Sequence, residues 1–123
     1  MTSEVIAGTR SAAEAEAMTH YAIANLQNVQ LGADIADYLA RIDATLAPYD
    51  GHFIIHGKQP EYLEGEWAGT LIVIEFPDRA SVLGWYESPA YQAILPLRTK
   101  NSDGITMVLE GVDRSHKATD VLA

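Results

Sequence analysis

The sequence predicts an α+β fold of ferredoxin-like type, β-α-β-β-α-β, with one antiparallel four-stranded sheet and both helical elements on one face. The first observation behind this is order: four short apolar segments of strand character alternate with two stretches of helical period. The second is length, since 123 residues make one domain with enough surface to bury for a real core. The third is the segment Thr70 to Phe76, TLIVIEF, which is apolar on both sides. Leu71 and Val73 point one way, and Ile72, Ile74 and Phe76 the other. A half-exposed antiparallel strand would alternate with polar residues instead. Helices can cover one face, and in so short a chain the simplest cover for the other is a second copy. A homodimer through the sheet faces is therefore expected.

The elements follow in order. Residues 1–19 form an N-terminal arm in which Ser11 and Glu14 have capping-box spacing ahead of an Ala- and Glu-rich helical stretch. The domain occupies residues 20–112. Tyr21 to Val29 predicts the first strand, with the small Ala22 and Ala24 on the side where helices press close. Ala33 to Tyr49 predicts a helix whose stripe is Ile35, Leu39, Ile42, Leu46 and Tyr49. Asp50-Gly51 supplies the turn, with glycine as the residue tolerant of positive φ. His52 to Gly57 is the second strand, and Leu63, Glu64 and Trp67 are candidates to extend its hairpin arm. Asp78 is placed to cap one helix, and Ser88-Pro89 to start another that ends near Pro96. Ile105 to Val112 is the last strand, and residues 113–123 are a polar, frayed tail.

Composition excludes several classes of function. The formal charge is −9, from 17 acidic and 8 scattered basic residues, so neither nucleic acid nor an anionic membrane is an expected partner. The absence of cysteine removes disulfides and thiolate catalysis. No apolar window approaches the ~18 residues of a membrane span, and no secretory signal is seen, so a cytoplasmic protein is expected.

The blocks APYDGHFIIHG at 47–57, LEGEW at 63–67, VIEFPD at 73–78, WYESPAYQ at 85–92 and PLR at 96–98 resemble a bacterial family called domain of unknown function 1330. With the first and last strands the resemblance covers roughly residues 20–112. It implies membership of the dimeric α/β-barrel group, in which two ferredoxin-like subunits bring their sheets together. The chain departs from that pattern in its longer N-terminal arm and in Asp50, where glycine is more usual. The resemblance implies no catalytic residues. Related barrels include small oxygenases, isomerases, dehydratases and non-catalytic proteins.

Candidate chemistry comes from the residues themselves. His52 and His56 project from the same face of the second strand, and either imidazole suits a proton carrier near neutrality. The H-x-x-x-H spacing unites metal ligands on a helix but not on a strand, so no metal is expected. Glu75, inside an apolar strand, is a general base, the partner of Arg98 or Arg79, or simply exposed at the end of the strand. Tyr86 and Tyr91 are candidate pocket walls, with Arg98 meeting a carboxylate or enolate, whereas Trp85 reads as packing and Ser88 as a helix cap. No phosphate-binding or nucleotide motif appears, so no cofactor is expected. These features suit a pocket for a small organic acid or aromatic, with cofactor-free proton transfer or oxygenation. The alternative is a non-catalytic ligand-binding or interaction protein.

Overall fold

The computed structural model describes residues 11–122. Residues 1–10 of the expected N-terminal arm lie outside the described residues. From Ser11 the capping box forms as the spacing implies: Ser11 Oγ accepts from Glu14 N–H at 3.1 Å, and Glu14 returns the bond to Ser11 N–H at 2.9 Å. It starts the short helix α1, Ala12–Ala17, which reaches the body through Glu16 and Arg79, 3.3 Å apart.

Four strands follow: β1 His20–Gln27, β2 His52–His56, β3 Thr70–Phe76 and β4 Asp103–Glu110. They form one antiparallel sheet in the order β2-β3-β1-β4. Three helices complete the domain: α2 Ala33–Leu46, α3 Arg79–Glu87 and α4 Pro89–Thr99. This is the ferredoxin-like arrangement. The first and last strands both begin and end earlier than the sequence suggests: Asn28, at φ 54, closes β1 after Gln27, and β4 pairs from Asp103 to Glu110.

Register decides what each face carries. Ala22 pairs with Ile74 and Val108, and Ala24 with Ile72 and Thr106, on the side facing the helices. Ile23 pairs with Val73 and Met107, and Asn25 with Leu71 and Ile105, on the side away from them. The core lies on the helix side, where Phe76, Val82, Trp85, Tyr91 and Ile94 are almost fully enclosed. On the opposite side Ile55, Ile105, Met107 and Leu109 remain exposed.

Three local expectations need correction. The buried side of α2 runs through Ile35, Tyr38, Ile42, Thr45 and Leu46, while Leu39 is 45% exposed. The stripe is rotated by about a residue because the polar ends of Tyr38 and Thr45 both find partners inside. Thr45 Oγ1 donates to the Ile42 carbonyl at 2.7 Å and accepts from Trp85 Nε1 at 2.9 Å. At the Asp50-Gly51 turn it is Asp50 that takes the left-handed conformation, at φ 55, which short polar side chains tolerate. Gly51 is needed for space, since a Cβ there would stand 2.6 Å from the Phe76 ring. Finally, α4 continues past Pro96 to Thr99. The bond Pro96 cannot donate would have gone to Gln92, an exposed residue whose carbonyl water can serve.

The caps behave as the sequence implies. Asp78 accepts from Ser81 N–H at 2.8 Å, and Ser88 accepts from Tyr91 N–H at 3.2 Å while donating to the Trp85 carbonyl at 2.7 Å. Residues 57–69 form no strand, so Leu63, Glu64 and Trp67 do not extend the hairpin. The tail turns at Asp113 to Ser115 and ends in a short 3₁₀ helix, Ala118–Leu122.

Candidate functional site

Between the helix-facing side of the sheet and helix α2 lies a cavity of about 210 Å³. Its sheet wall is built from the small Ala22 and Ala24 with Ile72 and Ile74, and its helix wall from Ile35, Tyr38 and Ile42. The alanines matter because a larger residue on β1 would fill the space that α2 leaves open. Leu31, which is exposed, and Leu39 also line it.

The polar groups in this apolar surround are few and grouped. Helix α4 contributes Tyr91 and Arg98, seven residues apart and so on one helix face. Across from them, Tyr38 of α2 brings its hydroxyl within 2.7 Å of the Tyr91 hydroxyl, either of which can donate. Both tyrosines are buried. Burial raises the Tyr38 pKa above the ordinary phenol range, reinforced by the neighbouring Tyr91 oxygen and only partly countered by Arg98. Tyr38 is therefore a neutral hydrogen-bonding group at any working pH. For Arg98, burial disfavours the charge, but the oxygens of Tyr91 and Tyr38 more than offset it, and the guanidinium pKa moves upward.

The predicted site residues divide between the two sides of the sheet. His56, Tyr91 and Arg98 line the cavity. His52 and Glu75 do not: they pair with each other across β2 and β3 on the opposite side, level with Tyr21. The expectation that His52 and His56 share a face fails because β2 bulges. Phe53 pairs with Ile74 and Ile55 with Val73, leaving Ile54 as an extra residue that reverses the alternation. His56 consequently stacks on Phe53, with ring centroids 4.2 Å apart. His52 instead donates from Nε2 to Asp50 at 2.7 Å, in an exposed pair of small energetic weight.

Glu75 meets neither expected arginine. Arg79 is paired with Glu16, and Arg98 lies on the other side of the sheet. Tyr86 also misses the cavity, packing behind its wall against Tyr91 at 5.5 Å and Trp85 at 6.1 Å. Trp85, read as packing alone, does line it. The residue missed altogether is Tyr38. Its position one residue before Leu39 on an amphipathic helix was the available signal. Among the described residues no group of three His, Asp or Glu side chains is arranged to hold a metal ion. No helix among them is long and apolar enough to cross a membrane.

A family model for a domain of unknown function, DUF1330, matches residues 19–112. The chain belongs to the DUF1330 family. No curated protein matches it. Among solved structures, a protein of unknown function from Rhodopseudomonas palustris aligns at 16% identity over 80% of this chain and 85% of that one, with a TM-score of 0.59. SnoaB, a cofactor-independent oxygenase from Streptomyces nogalater, aligns at 14% identity, TM-score 0.55, covering 79% of this chain and 96% of that chain. A putative antibiotic biosynthesis monooxygenase from Caulobacter crescentus aligns at 11% identity, TM-score 0.54, covering 82% and 96% respectively. At these identities the likeness establishes that this DUF1330 chain shares their fold, and its site must be argued from its own residues.

Proposed function

We propose that this DUF1330 protein is a homodimer that binds a small organic acid or aromatic molecule in the cavity between its sheet and helices, and acts on it without a cofactor. The observation that carries the proposal is the cavity itself: apolar walls with Arg98, Tyr38 and Tyr91 grouped at one place and an imidazole, His56, at another. Such a site orients a flat ligand by one anionic oxygen and leaves the histidine to move a proton. Proton abstraction would leave a carbanion or enolate, on which either protonation elsewhere or reaction with dioxygen can follow. Two fold relatives bearing oxygenase names support the second outcome as a class of chemistry. The homodimer is supported by the apolar side of the sheet, where Ile55, Ile105, Met107 and Leu109 stand exposed.

A second reading, binding without turnover, is favoured by one detail. Among the described residues no carboxylate orients His56, which stacks on Phe53. The two readings separate by experiment. Small acids and aromatics that raise the melting temperature are tested for proton exchange and for oxygen consumption. Turnover that falls by about 10²–10⁴-fold in His56→Ala supports catalysis. Turnover unchanged in that variant removes His56 from the mechanism, and ligand binding without turnover selects the second reading.

A further inference from the structure

We infer that the cavity selects a singly charged oxyanion carried on one planar ring, with the charged oxygen seated among Arg98, Tyr38 and Tyr91. This rests on the small-molecule reading of the cavity and names its ligand class. The first argument is charge. The chain holds 17 acidic residues against 8 basic ones, yet Arg98 has no carboxylate partner among the described residues. The groups that act on its guanidinium are the phenols of Tyr91 and Tyr38. Neutral phenols supply hydrogen-bonding oxygens but no formal counter-charge, and an incoming anion supplies one.

The second argument is donor count. With the two hydroxyl oxygens 2.7 Å apart, one phenol donates to the other, and the acceptor keeps its own proton for a further partner. That proton and the guanidinium N–H groups are donors, and all suit a carboxylate, enolate or phenolate oxygen. Only one positive charge is present there. A second ligand charge would be left against Ala22, Ala24, Ile35 and Ile72 without compensation.

The third argument is volume. An apolar cavity of about 150 Å³ holds benzene. The cavity here is about 210 Å³, which encloses one ring with its acidic substituent, whereas three fused rings would protrude past Leu31 and Leu39 at its open side.

The test is calorimetric titration of the full chain with benzoate, with neutral benzamide of similar shape, with doubly charged phthalate, and with anthracene-2-carboxylate. Benzoate is expected to bind one per chain, benzamide and phthalate about tenfold or more weaker, and the three-ring acid more weakly than benzoate. Arg98→Gln should weaken benzoate by about tenfold or more and erase its advantage over benzamide, whereas Tyr38→Phe should weaken it several-fold, by roughly one hydrogen bond. Circular dichroism establishes that each variant is folded. Should Arg98→Gln not fold, Arg98→Lys keeps the charge and must keep the preference for benzoate over benzamide. Equal binding of benzoate and benzamide, a preference that survives Arg98→Gln, no binding of any probe, or three-ring binding equal to benzoate would each overturn the inference. Benzoate selectivity in a protein without turnover removes the catalytic reading and leaves this one standing. Turnover confined to neutral ligands does the reverse.

Discussion

The two sides of the sheet are both apolar, but they are used differently. On the helix side the large groups interlock, with Phe76 and Trp85 centroids 5.4 Å apart and Trp85 and Tyr91 4.1 Å apart. Packing is dense there except where Ala22 and Ala24 leave the cavity. On the other side Ile55, Ile105, Met107 and Leu109 stay exposed, with no helix of the described residues packed over them, beside His52, Glu75 and Tyr21. The contrast teaches that apolar character alone does not mark a ligand site. What marks it is a packing deficit lined by a few converging polar groups.

Several measurements can break or sharpen this contrast. The largest effect is expected on the uncovered side. Met107→Asp would place an uncompensated charge in the proposed dimer contact, weakening association on the order of a hundredfold or more. Light scattering should then report monomer where the parent chain is a dimer, and a parent chain that is itself monomeric at micromolar concentration sinks the assignment. On the packed side, Phe76→Ala should cost about 3–5 kcal/mol in urea unfolding, because this fully buried ring touches the centre of the core. Ala24→Leu is expected to abolish ligand binding by filling the cavity, with stability changed by less than about 1.5 kcal/mol, which melting curves with and without ligand would check. A large loss of stability would mean that the space is not there.

The smallest effect tests a cap remote from both surfaces. Asp78→Ala should cost about 1 kcal/mol at neutral pH. Its bonds from Ser81 hold the Asp78 carboxyl below the usual range. The folded pKa is thus the lower one, so the contribution is complete above the ordinary carboxylate value and is lost as pH falls through the folded value. Stability curves of parent and variant should therefore converge in acid, and a gap independent of pH would contradict the assignment.

Much of this molecule was legible in its sequence. Element order, the two-sided character of TLIVIEF and the caps at Ser11, Asp78 and Ser88 are local signals, and local signals survive into the fold. The site was legible only in part. Tyr91 and Arg98 could be placed because they share one helix face at a spacing of seven. Tyr38 was hidden because aliphatic periodicity favours Leu39, and only the Tyr91 hydroxyl across the cavity makes burying Tyr38 worthwhile. Trp85 and Tyr86 exchanged expected places because adjacent helical residues point about 100° apart, and only the packed neighbours determine which one turns inward.

The extra residue at Ile54 works as a phase shifter. Upstream of it the odd-numbered residue Phe53 faces the helices, while downstream the even-numbered His56 does. One inserted residue thus sends two histidines, equal in sequence parity, to separate chemical addresses. His56 joins the lining of the cavity, and His52 stays on the far side of the sheet beside Asp50 and Glu75. Deleting Ile54 would restore simple alternation with Phe53, Ile55 and His56 still opposite Ile74, Val73 and Ile72, so the imidazole would keep its place at the cavity without any bulge to put it there.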